Sequence, residues 1–137
     1  MNKILFVLAL FSTSAFACPK LGGLHVNCRQ SDGSITKVRI VQSERNGVTR
    51  YKVDWAGKRS QIHDADGITR EAEIFDTGLV LKRTAFCEGQ MLKHTALMTD
   101  ANGSVKLDVT EEYWVVNKKL HFRALDEQGV YNEIICR

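Results

Sequence analysis

Four histidines stand far apart in the chain, at His25, His63, His94 and His121. None lies two or four residues from another, so no single strand or helix turn carries a local histidine pair able to grip a metal ion. His63-Asp64-Ala65-Asp66-Gly67 contains a D-x-D-G spacing that resembles part of a calcium loop. A calcium loop needs a further oxygen ligand two residues before Asp64, where Ile62 stands. The segment therefore reads as a polar turn in which an aspartate caps its own backbone. Neither a metal site nor a cofactor is expected. Nucleophilic catalysis finds no G-x-S-x-G elbow, and the cysteines are expected to be oxidised. Non-enzymatic function is the expectation.

Glu111-Glu112-Tyr113-Trp114 is the most chemical-looking cluster. Adjacent strand residues face opposite sides of a sheet, so two neighbouring carboxylates cannot flank one glycosidic bond. One glutamate is expected to face water and the other to point inward at a strand bulge. The inward one becomes a candidate ligand contact beside Tyr113 or Trp114. Trp55, Tyr113, Trp114, Phe122 and Tyr131 are the residues able to line a ligand cavity. The same aromatic residues equally suit the filled core of a small β protein.

The elements that must position these groups begin after an export signal. Lys3 supplies a positive start, Ile4 to Phe11 an unbroken apolar run, and Ala15-Phe16-Ala17 an A-x-A cleavage site. The apolar run is too short for a membrane span, which takes about 20 residues. Residues 1–17 are therefore read as a signal peptide and 18–137 as one domain, periplasmic or secreted, with no transmembrane span after cleavage. Cys18 becomes the first mature residue, as in an acylated bacterial lipoprotein. Lipoprotein signals carry Leu three residues before that cysteine and a small residue two before. Ala15 and Phe16 stand there instead, so ordinary cleavage is expected. Cleavage removes Lys3 and lowers the formal charge of +3 by one. Lysines and arginines are scattered, so no phosphate-tracking patch exists and nucleic acid is not an expected partner.

Cys18, Cys28, Cys87 and Cys136 enter an oxidising compartment, where pairing is the default. Three connectivities are possible. The expected one is Cys18–Cys28, closing a short loop, with Cys87–Cys136 tying a mid-chain strand to the last one. No C-x-x-C spacing supports a zinc site on these thiols.

The domain reads as strand, turn, strand throughout. Turn signals recur at Ser31-Asp32-Gly33-Ser34, Arg45-Asn46-Gly47, Asp66-Gly67, Thr77-Gly78, Asn102-Gly103, Asn117-Lys118 and Gln128-Gly129. Between them lie β-rich runs at 35–41, 48–55, 68–75, 79–86, 105–116, 120–125 and 130–136. Alternation puts Val105, Leu107 and Val109 on one face, as it does Tyr51, Val53 and Trp55, and Leu120, Phe122 and Ala124. The fold class is all-β, about nine or ten strands in an antiparallel meander. A meander of that length is expected to close into a barrel to remove its edges.

Cys18-Pro19-Lys20-Leu21-Gly22-Gly23-Leu24-His25-Val26-Asn27-Cys28, with Asn46-Gly47-Val48, Tyr51 and Ala65-Asp66-Gly67, resembles a group of small exported bacterial proteins that open on C-P-x-L-x-G-x-Y-x-C. His25 takes the place of the tyrosine, and the resemblance implies no particular activity. Gly23-x-His25 also resembles the G-x-W opening of the lipocalins, with histidine for tryptophan. That likeness implies a barrel holding a small apolar ligand. The exported inhibitors of C-type lysozyme share a Y-x-C start, a small β-barrel and a disulfide, but their S-G-x-x-Y loop has no counterpart here. The expected function is binding of a small molecule or envelope component. The alternative is a protein-interaction module such as a hydrolase inhibitor.

These readings predict the mass of the protein exported by a bacterial host. It should begin at Cys18 and be short by the four hydrogens that two disulfides remove, as intact mass spectrometry will record. An added diacylglycerol would instead identify a lipoprotein.

Overall fold

The computed structural model describes residues 17–74 and 76–137. The proposed signal segment therefore lies outside the described residues, apart from Ala17. Ten strands form one antiparallel sheet and no helix occurs among the described residues. They are β1 (Gly23–Arg29), β2 (Ile35–Arg45), β3 (Val48–Trp55), β4 (Gln61–Asp64), β5 (Arg70–Ile74), β6 (Leu79–Glu88), β7 (Met91–Thr99), β8 (Val105–Val116), β9 (Lys119–Asp126) and β10 (Gly129–Ile135). Three of them, β1, β4 and β7, lie outside the β-rich runs marked in the sequence.

The hairpins follow from their turn residues. Asn46 and Gly47 both have positive φ (52° and 75°), and so do Asn117 and Lys118 (51° and 64°). Two successive positive φ angles make the turn whose twist matches a two-residue hairpin. Asp100 closes the β7–β8 turn by accepting hydrogen bonds from the backbone N–H of Asn102 and of Ser104, each at 2.9 Å.

The strand order is β4-β3-β2-β1-β10-β9-β8-β7-β6-β5. Every sequential pair is hydrogen-bonded except β4 and β5, and the chain's first and last strands pair with each other. The sheet is thus a meander that is not closed into a barrel: its two edges are β4 and β5. It curls until β4 touches β6. Across that seam the Gly67 N–H donates to the Ala85 carbonyl at 2.9 Å.

The inner face carries the core. Val38 and Ile40, Tyr51 and Val53, Leu92, Tyr113, Leu120, Phe122, Ala124 and Ile134 are all buried. The segment before β1 packs against one end of this core. Leu21 is buried there, and the Tyr51 hydroxyl donates to the Pro19 carbonyl at 2.6 Å. Alternation fails at the start of β8, where Val105, Lys106, Leu107 and Asp108 are all exposed. The cause is strand length, because pairing with β9 begins only at Thr110↔Leu125.

The disulfides are Cys18–Cys87 and Cys28–Cys136, with Cα atoms 5.3 and 3.8 Å apart. This corrects the expected pairing of Cys18 with Cys28 and of Cys87 with Cys136. The reason is topological. Cys28 and Cys136 sit beside the only matched pair of the β1–β10 junction, Arg29↔Ile135. Cys18 is carried across the end of the core to β6.

Peptide mapping without reduction should therefore recover the Cys18–Cys87 and Cys28–Cys136 links. Loop-closure entropy assigns the 108-residue separation about 5 kcal/mol. Changing both Cys28 and Cys136 to Ser should lower Tm by on the order of 10 °C, read by thermal denaturation.

Candidate functional site

The inner face is not wholly apolar. β4 places His63 inward, two residues after Gln61. β7 alternates Leu92, His94 and Ala96 on that face, and β8 alternates Glu111 and Tyr113. Register sets His94 opposite Glu111 and Leu92 opposite Tyr113. The curl of the sheet then brings β4 over β7. The His63 and His94 rings stand 4.3 Å apart between centroids, tilted by 50°. His94 Nδ1 lies 3.2 Å from Glu111 Oε2, within hydrogen-bond reach. His63 and His94 are buried, 3% and 8% exposed. One donor atom from each of His63, His94 and Glu111 lies within 4.8 Å of the other two. Sequence spacing could not bring these three residues together, because they stand on β4, β7 and β8. Its available signal was the placement of His94 on an otherwise apolar strand face.

Three buried polar atoms in this region lack a hydrogen-bond partner: Gln61 Oε1, His63 Nε2 and Tyr113 Oη. The Tyr113 ring lies 6.2 Å from that of His63. An orphaned buried polar group costs about 1–3 kcal/mol, so the cluster lowers stability. Burial holds His63 neutral, with its pKa lowered to about 4; the neighbouring His94 and Arg83 push the same way, and Glu111 and Asp64 oppose them.

Glu111 also lines a cavity of about 220 Å³ on the inner side of the sheet, with Trp55, Gln61, Phe122, Ala124 and Tyr131 among its walls. Trp55 meets Phe122 edge-on at 5.5 Å, and Phe122 packs on Tyr113 at 4.8 Å. Of the five aromatic candidates, Trp55, Phe122 and Tyr131 thus share one cavity. Tyr113 is sealed within the core behind Phe122. Trp114 faces the other side of the sheet. It stacks on His121 at 5.3 Å, with the Arg123 guanidinium 5.1 Å from its centroid.

Glu111 and Glu112 face opposite sides as alternation requires, but neither sits at a bulge. The β7–β8 register runs unbroken through both, and its shift falls between Met98 and Thr99. Nor does Glu112 face water. It is 5% exposed, bonded to Arg123 and placed 3.5 Å from Lys93 Nζ. The two cations flank it in register on β9 and β7. Glu112 is a structural anchor of the outer face. The Asp64 and Asp66 carboxylates are likewise engaged. Arg50 bonds both oxygens of Asp64 at 2.6 and 2.9 Å, and Arg70 bonds Asp66 at 2.6 Å. Asp66 also accepts from the Ile68 N–H at 3.0 Å, capping its own turn.

No family model matches the chain, and no curated protein matches it. Among the described residues no helix is long and apolar enough to cross a membrane.

The neutral, buried His63 makes stability depend on pH. Its folded pKa of about 4 lies below the unfolded value near 6.5, so the unfolded chain binds the extra proton and stability falls as pH drops through this window. Between pH 7 and 4, with chelator present, the wild type should lose up to roughly 3 kcal/mol more than H63Q. Urea denaturation at both pH values measures the difference.

Proposed function

We propose that this is an exported, non-enzymatic binding protein. It holds a small ligand, or a small terminal group of an envelope component, in the cavity walled by Trp55, Phe122 and Tyr131. The observation that carries the reading is that three strands, β3, β9 and β10, each contribute one aromatic side chain to the same 220 Å³ space. Flat aromatic surfaces give a ligand large contact at small entropic cost, and a few polar groups fix its orientation. Glu111 and Gln61 supply those groups. The volume is below the roughly 300–1,000 Å³ of drug-sized pockets, so the occupant is small and amphipathic. Its polar end carries a hydrogen-bond donor for the Glu111 carboxylate.

The proposed shape is a lipocalin-like container. The strand order supports it, because β1 and β10 pair end to end and β4 curls onto β6. The proposed location is the periplasm or the exterior. Two disulfides and the signal-like N-terminus support that placement.

Tyr131 is half exposed at the cavity rim, so its removal should leave the core intact. Native mass spectrometry of the exported protein should show a reproducible bound mass. Tyr131→Ala should weaken its retention about tenfold, the worth of roughly 1.4 kcal/mol of contact, with Tm within a degree or two of wild type. Trp114→Ala, on the opposite face, should retain the ligand. A chain that flies bare would move the assignment to a protein partner.

A further inference from the structure

The histidine cluster lies where the sheet has no ladder. His63 is on the edge strand β4, while His94 and Glu111 are on β7 and β8, reached across the seam. A cleft of about 60 Å³ opens at the seam between His63, His94, Arg70 and Arg83. Glu111 faces the inner cavity behind the pair. We propose that His63, His94 and Glu111 bind one divalent transition-metal ion of the zinc class, which ties β4 to β7 and β8 across the open seam.

Four features carry this assignment. First, His63 Nε2 is buried without a partner, in a ring that is 3% exposed and neutral. A neutral imidazole with a ring nitrogen free of hydrogen bonds can offer that nitrogen's lone pair to a metal ion. Second, Glu111 holds His94 by its ring nitrogen, leaving the carboxylate and the second histidine already oriented toward each other. Third, the spacing is close to that of a coordination shell. Ligand atoms around a tetrahedral zinc stand about 3.4 Å apart, given bonds near 2.1 Å. The present 4.8 Å limit closes to that by small side-chain rotations. Fourth, two nitrogens and one carboxylate oxygen suit zinc, nickel or copper and not calcium or magnesium, which take all-oxygen shells.

The surrounding charges are mixed. Glu111 supplies the counter-charge. Arg83 on β6 opposes a cation, and Asp64 on β4 is already held by Arg50 and lies 3.9 Å from Arg70. Three protein ligands leave a fourth position open. A water molecule would complete the shell. Because the ligands come from three strands, the unfolded chain cannot assemble the site, and bound ion stabilises the fold by mass action.

The test uses the disulfide-intact chain stripped with chelator and titrated with zinc chloride by calorimetry. It involves no organic ligand, so its outcome is independent of the cavity assignment above. One ion per chain should bind with micromolar or tighter affinity and raise Tm by several degrees. Magnesium chloride should leave Tm unchanged. H63N and H94N should lose the binding. Glu111→Gln, which keeps size but removes the charged oxygen ligand, should weaken it by at least about tenfold while circular dichroism stays native. Cobalt(II) should give the intense visible absorption of a tetrahedral site in wild type alone. The assignment is overturned if wild type shows no saturable binding. It is equally overturned if E111Q, folded as wild type, binds unchanged, or if binding survives H63N and disappears in H25N or H121N.

Discussion

Everything in this molecule depends on the junction of β1 with β10. Strands β1 to β4 form one run of hairpins and β5 to β10 the other. The two runs meet in the sheet through a single matched pair, Arg29↔Ile135. A ladder so short would not hold two halves of a sheet together on hydrogen bonds alone. The Cys28–Cys136 bond lies directly beside it, and the Arg137 N–H donates to the Val26 carbonyl at 3.1 Å. The Ser31 hydroxyl adds a link by accepting from the Glu133 N–H at 3.0 Å. If this junction parted, β4 would leave β6, and His63 would no longer face His94.

The second disulfide acts on the same problem from the closed end. Cys18–Cys87 pins the leading segment to β6, and Leu21 and Pro19 cap the core above Tyr51. One end of the interior is thereby filled, while the end lined by Trp55, Phe122 and Tyr131 keeps its space. A covalent staple at each weak place suits a small domain whose core is too modest to hold a curled sheet unaided.

The two faces of β8 treat their carboxylates differently. Glu112 is buried, and its charge is met in register by Arg123 and Lys93. A buried charge so paired is retained because removing either partner would leave the other uncompensated. Among the described residues Glu111, one residue away, has His94 as its hydrogen-bonding side chain, and the unpartnered Nε2 of His63 lies in the same cluster. Native proteins keep few such groups. A ligand, ion or water is the ordinary explanation for such a group.

Local chemistry determined the strands. Asn46-Gly47 and Asn117-Lys118 accept the positive φ angles of tight turns, so their hairpins were legible from dipeptides alone. Alternation at Tyr51-Val53 and Leu120-Phe122-Ala124 named the core face because strand side chains repeat every second residue. Strand β4 was not legible because four residues with one aliphatic side chain carry no period. β7 escaped because its polar side chains, Lys93, His94 and Thr95, interrupt the pattern. The cysteine pairing, the inward meeting of His63 with His94, and the separation of Trp114 from the other aromatics are long-range facts. They follow from which strands become neighbours and where the curl brings the sheet's edges. Sequence spacing states only distance along the chain, so it determined the hairpins, while the closing of β1 on β10 and of β4 on β6 decided the site.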